Sequence, residues 1–309
     1  MRILVVGAGG IGGYFGGRLL NAGRDVTFLV RQRRAAQLAD SGLMVRSPLG
    51  DLDLPNPPTV MAEDLKGAFD LVLLSCKAYD LEAAMDSLAP AVGPDTAILP
   101  LLNGMRHMDL LKTRFGEGRV LGGLCLISAA LDPEGRVLHL NDLHTLSFGE
   151  PDGGRSPRIE AIAAALSDAG FDARLSDTIV QDMWEKWIFI ATGAGATCLM
   201  RASIGDIVAA GAEHVVTALL DESAAIAAAE GFPPRAPAIE RTRDSYTKPG
   251  STMTASMLRD MERGGPIEAD QIIGDLLRRG GDHAASPTLR IVLAHLKAYE
   301  ARRARETAR

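Results

Sequence analysis

Residues 2–12 read RILVVGAGGIG, and this stretch decides the fold of the first half of the chain. Arg2–Val6 is a short, branched, apolar run, which is typical of a buried strand. Ile11–Leu20 has the spacing of a helix, and the glycines between the two segments follow the pattern G-x-G-x-x-G. The order strand, glycine-rich loop, helix predicts a βαβ unit that binds a dinucleotide.

Each glycine of this loop has a physical task. Gly7 permits a tight turn, Gly9 lets the backbone approach a pyrophosphate, and Gly12 lets the helix lie close to the sheet. The helix begins within the loop, so the backbone N–H groups near Gly10 and Ile11 face the phosphates with a partial positive charge. A glycine-rich turn without a ligand is the alternative, but the strand and the helix on either side favour dinucleotide binding.

The end of the second strand indicates which dinucleotide binds. Enzymes that use NAD usually carry Asp or Glu there, which binds the ribose 2′-hydroxyl. Here Asp25–Val30 is followed by Arg31, and Asp25 itself lies at the beginning of the strand. A guanidinium can pair with a 2′-phosphate, so the sequence predicts NADP(H) as cofactor. Arg33 and Arg34 are interpreted as the solvated start of the next helix.

Short apolar runs alternate with helical patterns up to about Val120, which is the rhythm of a parallel sheet. Further strands are predicted at Leu71–Ser75, Ala97–Leu101 and Asp172–Leu175, and helices at Leu81–Leu88, Pro157–Leu166, Val215–Ala229 and Asp270–Arg279. The turn Asp132–Gly135 predicts an antiparallel hairpin at the edge of the sheet.

From Ile179 onward the patterns are helical, and we place a domain boundary near Asp177. The predicted fold class is α/β: an N-terminal Rossmann-type parallel sheet with an antiparallel edge, followed by an all-helical C-terminal domain. Residues 1–177 are expected to bind NADP, and residues 178–309 to form the helical substrate and catalytic domain.

Composition excludes several classes of protein. Of 309 residues, 47% are hydrophobic and 23% charged, which are globular values, and the net charge of -6 argues against a general nucleic-acid binder. No apolar run reaches the ~20 residues of a membrane span. The scattered cysteines fit a reducing compartment without disulfides, so we expect a cytoplasmic protein; they are Cys76, Cys125 and Cys198.

No metal site is expected, because the histidines lack the spacing of metal ligands. His139 and His144 lie around a loop, and His283 and His295 lie in the helical tail.

Several short motifs follow one another along the chain. They are Cys76-Lys77-Ala78, Leu102-Asn103-Gly104-Met105, Trp184-Glu185-Lys186-Trp187 at the start of the first C-terminal helix, Ser256–Asp260, and Glu268 eight residues after Asp260. Together with the glycine loop they resemble the ketopantoate reductase (2-dehydropantoate 2-reductase) family of pantothenate biosynthesis. The resemblance extends from Gly7 to the helix that contains Glu268.

This resemblance implies roles for individual residues. Lys186 corresponds to the general acid that protonates the oxygen of a reduced ketone, and Glu268 to the acidic residue that holds the lysine charged and oriented. Ser256 corresponds to the hydroxyl that binds the substrate carboxylate; a helix cap is the alternative. Asn103 corresponds to a contact of nicotinamide and substrate, and Lys77 to a lysine close to the cofactor.

The chain departs from the family at two positions. Family members carry asparagines four and eight residues after the lysine, where this chain has Ile190 and Ala194. The sequence therefore supports the reduction of a small 2-oxo acid better than it supports ketopantoate as the particular substrate. Ketopantoate is expected to be a poor substrate compared with a 2-oxo acid that lacks its hydroxyl. The alternatives are a 3-hydroxy acid dehydrogenase and a non-catalytic NADP-sensing module, and a homodimer is left open.

Overall fold

The structure is a computed structural model that describes residues 1–281 and 285–307. The chain divides into two compact units. The first contains Met1–Leu102 and His107–Val180, and the second contains Asn103–Arg106 and Gln181–Arg309. The predicted assignment of NADP to residues 1–177 and of substrate to residues 178–309 stays a prediction.

The strands and helices are named in chain order. The strands are β1 (Arg2–Val6), β2 (Asp25–Leu29), β3 (Leu43–Arg46), β4 (Leu52–Leu54), β5 (Thr59–Val60), β6 (Leu71–Leu74), β7 (Ala97–Pro100), β8 (Gly122–Leu131), β9 (Val137–Gly149) and β10 (Asp172–Leu175). The α-helices are α1 (Gly10–Asn21), α2 (Gln32–Ser41), α3 (Leu81–Leu88), α4 (Arg106–Phe115), α5 (Pro157–Leu166), α6 (Ile179–Met200), α7 (Ile204–Ala209), α8 (Glu213–Ala229), α9 (Ala236–Tyr246), α10 (Ser256–Glu262), α11 (Asp275–Gly280) and α12 (Pro287–Thr307). Short 3₁₀ turns cover Ala62–Asp64, Ala78–Asp80, Ala89–Ala91 and Glu117–Arg119, and a π-helical turn covers Asp270–Gly274.

The first unit is built on a parallel sheet with the strand order β5-β2-β1-β6-β7. The last four residues of β1 and all four of β6 are buried, as expected for a sheet covered on both faces. After β1 the chain builds the sheet toward β2, and it later returns to place β6 on the other side of β1. The carboxyl ends of β1 and β6 therefore flank a switch point, which is where such sheets bind ligands. The predicted Rossmann-type fold is confirmed.

A second sheet in the same unit contains the predicted hairpin. Strands β8 and β9 pair antiparallel, and β9 also pairs with β3 and β10. The hairpin turn is closed by Asp132, which accepts hydrogen bonds from the backbone N–H and Nε of Arg136. The antiparallel hairpin is thus present, but it belongs to this second sheet rather than to the edge of the parallel one. His139 and His144, expected around a loop, lie within β9.

Helix α1 lies close to both sheets because half of its buried residues are glycines. A methyl group at Gly16 would stand 2.6 Å from the Phe28 ring of β2, and one at Gly13 would stand 2.7 Å from Val137 of β9. Phe15 of the same helix packs edge-on against Phe171, with ring centroids 5.0 Å apart. The small residues therefore fix the position of the helix that follows the glycine loop.

The second unit is helical throughout its described residues. Trp184 and Trp187 of α6 are almost completely buried, and the Arg279 guanidinium lies 5.9 Å from each ring. Arg279 also pairs with Asp275, whose side chain is 1% exposed. Helix α6 begins at Ile179, so the tryptophan motif lies in its second turn and not, as predicted, at its start. Among the described residues, no helix has the length and apolar character that crossing a bilayer requires.

Candidate active site

The glycine loop is held tightly by its own unit at three positions. Gly7 has a φ of +90°, which favours glycine. A methyl group at Gly12 would overlap the Gly7 carbonyl oxygen and Ser75 Oγ, and one at Gly10 would stand 2.8 Å from the Ala129 carbonyl oxygen. Protein packing and backbone conformation therefore account for these glycines.

Gly9 is different, because none of the residues that the structure describes requires a glycine there. Its φ of -81° suits any residue, and a methyl group would meet no atom within 4 Å. The first turn of α1 has no side-chain cap and no acidic residue. A glycine beside open space at an uncapped helix N-terminus fits a pyrophosphate, which needs close backbone approach and free N–H groups. The residues present thus fit a dinucleotide.

We expect Gly9→Ala to separate ligand binding from folding. The thermal midpoint should stay unchanged, whereas NADPH binding should weaken by about 1–3 kcal/mol, roughly fivefold to 150-fold, because the methyl enters the space of the phosphate. Gly12→Ala is the matched control, and it should lower the thermal midpoint because its methyl meets protein atoms. Titration by nucleotide fluorescence and a melting curve test both; unchanged NADPH affinity in Gly9→Ala would contradict this role.

Two further predicted cofactor residues follow β2 and β6, the two strands that flank β1 in the parallel sheet. Arg31 comes two residues after β2, and its side chain is 73% exposed. Lys77 follows β6, is exposed, and precedes the 3₁₀ turn Ala78–Asp80. Arg31 Nη2 lies 2.7 Å from Asp80 Oδ1, and this hydrogen bond raises the pKa of Arg31. Asp80, which was not predicted from the sequence, thus places a carboxylate at the edge of the sheet where the 2′-phosphate is expected.

Arg34 is not the solvated residue that the sequence suggested. Its side chain is half-buried, and burial lowers its pKa. Nε donates to the Ala8 carbonyl oxygen at 3.0 Å, and Nη1 donates to the Gly135 carbonyl oxygen at 2.8 Å. Arg34 therefore joins the glycine loop to the β8–β9 turn and positions the loop.

In the second unit, hydrogen bonds connect the segments that carry three predicted residues. Lys186 is half-buried on α6, and its neighbour Trp187 donates from Nε1 to the Ile272 carbonyl oxygen at 2.9 Å. Ile272 belongs to the π-helical turn that begins two residues after Glu268, which is also half-buried. The same turn contains Gln271, whose Nε2 donates to the Asn103 carbonyl oxygen at 2.7 Å.

The turn at Asn103 is shaped to fit this π-helical turn. Gly104 has a φ of +78°, and a methyl group there would stand 2.7 Å from the Gln271 carbonyl oxygen. Gln271 itself is 4% exposed. π-Helical turns occur often at functional sites. The segments of Lys186, Glu268 and Asn103 are therefore held in one framework. Gln271, which connects two of them, was not predicted from the sequence; the one feature that could have indicated it is an amide beside the apolar residues Ile272 and Ile273.

Glu185, which precedes Lys186, has a structural role. Its Oε1 accepts hydrogen bonds from the backbone N–H and Nε of Arg235, at 2.9 and 2.7 Å. Burial alone would raise the pKa of Glu185, but the hydrogen bonds from Arg235 and Gln181 outweigh burial and lower it. Glu268 thus remains the carboxylate that is predicted to keep Lys186 charged and oriented.

The other predicted substrate positions lie on α10 and α6. Ser256 is the exposed first residue of α10, and Ala255 occupies the N-cap position, so a capping role does not explain this serine. On α6, Ile190 is half-buried and Ala194 is 1% exposed. Within residues 1–281 and 285–307 no three His, Cys, Asp or Glu side chains are grouped to hold a metal, and His283 lies outside the described residues.

The sheet, the glycine loop and the helical unit define a protein of the Rossmann-type dinucleotide-binding class. Residues 3–153 match the family described as "Ketopantoate reductase PanE/ApbA", and residues 178–300 match "Ketopantoate reductase PanE/ApbA C terminal". The chain belongs to the ketopantoate reductase family, so the resemblance found in the sequence is confirmed.

Known proteins similar to this chain cover nearly its whole length. An "uncharacterized oxidoreductase YkpB" of Bacillus subtilis is 40% identical over 303 residues, which are 97% of this chain and 99% of that protein. A 2-dehydropantoate 2-reductase of Mesorhizobium japonicum is 29% identical, over 95% of this chain and 96% of that protein. The crystal structure of 2-dehydropantoate 2-reductase from Methylococcus capsulatus superposes with a TM-score of 0.86 at 30% identity, covering 98% of each chain.

Proposed function

We propose that this protein reduces a small 2-oxo acid to the 2-hydroxy acid with NADPH. The observation that carries the proposal is the framework of the second unit, in which Trp187 and Gln271 connect the segments of Lys186, Glu268 and Asn103. A framework of this kind holds catalytic groups in fixed positions, which is what reduction of a ketone requires. The relatives that are named 2-dehydropantoate 2-reductases add support.

Each residue has a distinct task in the proposed reaction. Bound NADPH supplies a hydride for carbon 2 of the oxo acid. Lys186 stabilises the negative charge that develops on the substrate oxygen and donates a proton from Nζ to it, and water later restores that proton. Glu268 keeps Lys186 charged and oriented. Ser256 binds the substrate carboxylate, and the Asn103 amide orients the substrate and the nicotinamide.

Preference for NADPH is proposed from the charges around the ribose site. Gly7, Gly9, Gly10, Ile11 and Gly12 hold the pyrophosphate. Arg31 binds the 2′-phosphate, Lys77 lies close to the cofactor, and β2 ends without the carboxylate that would bind a 2′-hydroxyl. Because Arg31 is pre-paired with Asp80, the phosphate has to share or displace that carboxylate.

Asp80→Asn should therefore increase the preference for NADPH over NADH. Removing the competing carboxylate should strengthen NADPH binding by up to about fivefold, since exposed ion pairs contribute roughly 0.2–1 kcal/mol, and should leave NADH binding unchanged. Asp86→Asn is the matched control, because Asp86 forms an exposed ion pair with Arg114 at 2.9 Å. Weaker NADPH binding in Asp80→Asn would show instead that Asp80 orients Arg31 for the phosphate.

A screen of NADPH oxidation against a panel of 2-oxo acids tests the proposed function. In parallel, 3-hydroxy acids are offered with NADP⁺, and nucleotide binding is measured without substrate. We expect turnover with at least one 2-oxo acid. Turnover of 3-hydroxy acids alone would indicate a 3-hydroxy acid dehydrogenase, and binding without any turnover would indicate an NADP-sensing module.

A further inference from the structure

Tyr246, the last residue of α9, places its hydroxyl against helix α6. The residue is 5% exposed, and its ring packs on the Phe189 ring with the centroids 4.6 Å apart. A methyl group at Gly193 would overlap the Tyr246 hydroxyl, so this glycine makes the room in which the phenol lies. The hydroxyl is therefore held beside Gly193, at one defined height along the axis of α6.

This level lies on the face of α6 that carries Lys186. Gly193 follows Lys186 by seven residues, which rotates it by only about 20° around the helix and moves it about 10.5 Å along the axis. Ile190 and Ala194 flank the same face, and neither offers a hydrogen bond from its side chain. The phenol of Tyr246 thus brings a polar group to a face whose own side chains there are apolar.

The hydroxyl of Tyr246 has no partner within residues 1–281 and 285–307: none of them forms a hydrogen bond with it. Burial raises the pKa of Tyr246, and no neighbouring charge contributes. Buried tyrosine hydroxyls usually find a partner, and the Tyr246 oxygen can be reached from outside the chain, since it is not among the fully buried polar atoms that lack one. A partner from outside the chain would explain why this one is retained.

We propose that Tyr246 is a specificity-determining residue whose hydroxyl binds a polar group on the side chain of the substrate. The inference rests on the proposed function and deepens it, because it names a residue that selects between 2-oxo acids with and without a hydroxyl beyond the oxo group. The phenol takes over the contact that the absent amides at positions 190 and 194 would make. The side chains of α6 alone favour a 2-oxo acid without this hydroxyl, whereas the phenol of Tyr246 favours one that carries it.

The test compares two 2-oxo acids that differ by one hydroxyl, ketopantoate and trimethylpyruvate, in the whole protein with saturating NADPH. The wild type should prefer ketopantoate. Tyr246→Phe should lower kcat/KM for ketopantoate by about tenfold to a hundredfold, mainly through KM, and leave trimethylpyruvate unchanged. Its thermal midpoint should not fall, because the lost hydroxyl has no partner in the protein.

Tyr299→Phe is the matched control, since the Tyr299 hydroxyl donates to the Gly265 carbonyl oxygen at 2.8 Å. This variant should melt at a lower temperature and keep the wild-type ratio of the two substrates. An unchanged ratio in Tyr246→Phe, with both acids still reduced, would overturn the role of Tyr246 alone. If the wild type reduces other 2-oxo acids but neither of these two, the role of Tyr246 is contradicted and the proposed function stands. If it reduces no 2-oxo acid at all, both are contradicted.

Discussion

Replacing Lys186 by alanine should lower turnover by about 10²–10⁴-fold on the best 2-oxo acid, which is the usual effect of removing a positioned general acid. NADPH affinity should barely change, because the cofactor residues proposed above lie mainly in the first unit. Steady-state kinetics give turnover, and nucleotide fluorescence gives affinity. The thermal midpoint should stay close to that of the wild type, since Lys186 is only half-buried.

Lys248→Ala provides the control for this variant. Lys248 is an exposed lysine of the second unit, so its removal changes the net charge equally. We expect wild-type turnover from it. Near-normal turnover in Lys186→Ala would rule out proton donation by Lys186, whereas an equal loss in both variants would indicate a general effect of charge.

Replacing Arg31 by alanine should weaken NADPH binding far more than NADH binding. Loss of one charge-assisted contact costs roughly 1.5–3 kcal/mol, which corresponds to about tenfold to 150-fold in affinity. NADH carries no 2′-phosphate, so its dissociation constant should hardly change. Fluorescence titration of both nucleotides against wild type and variant measures the difference.

Arg33→Ala is the matched control, because Arg33 is an exposed arginine two residues further along. It should leave both affinities close to those of the wild type. Equal weakening of NADPH and NADH in Arg31→Ala would contradict a specific contact with the 2′-phosphate. Tighter binding of NADH than of NADPH by the wild type would contradict the cofactor assignment itself.

Local signals made part of this fold predictable from the sequence. Helix α5 was predicted with its observed bounds from Pro157 at its first position, and in the structure Ser156 also caps it by accepting from the Ile159 N–H. The glycine loop was equally clear, since Gly7 and Gly12 meet constraints from the adjacent strands. Such features depend on residues close together in the chain or on a recurring motif.

Other elements were misplaced because the deciding contacts are not local. His139 and His144 were expected around a loop, yet both lie in β9, where the register shifts so that residues 140–143 lie opposite Ser128 alone, and the Asn141 side chain accepts from the Ser128 N–H. The predicted helix Asp270–Arg279 is a π-helical turn followed by α11, which composition cannot distinguish from one α-helix.

The supporting residues of the candidate site were the least predictable. Arg34 bonds to Ala8, 26 residues away, and Gln271 bonds to Asn103, 168 residues away. Tyr246 lies on a different helix from Lys186, and only the folded chain brings its hydroxyl to α6. A sequence pattern identifies the residues expected to do chemistry, whereas the residues that position them follow from tertiary packing.

In the proposed reaction hydride passes from NADPH to carbon 2 of a 2-oxo acid, and transfer of deuterium tests this step most directly. The wild-type protein is given NADPH deuterated at both hydrogens of nicotinamide C4, together with the best 2-oxo acid of the screen, and the product is analysed by mass spectrometry and NMR. We predict a 2-hydroxy acid that carries deuterium on carbon 2. A product without the label, or NADPH oxidised with no hydroxy acid formed, would contradict the proposed reaction.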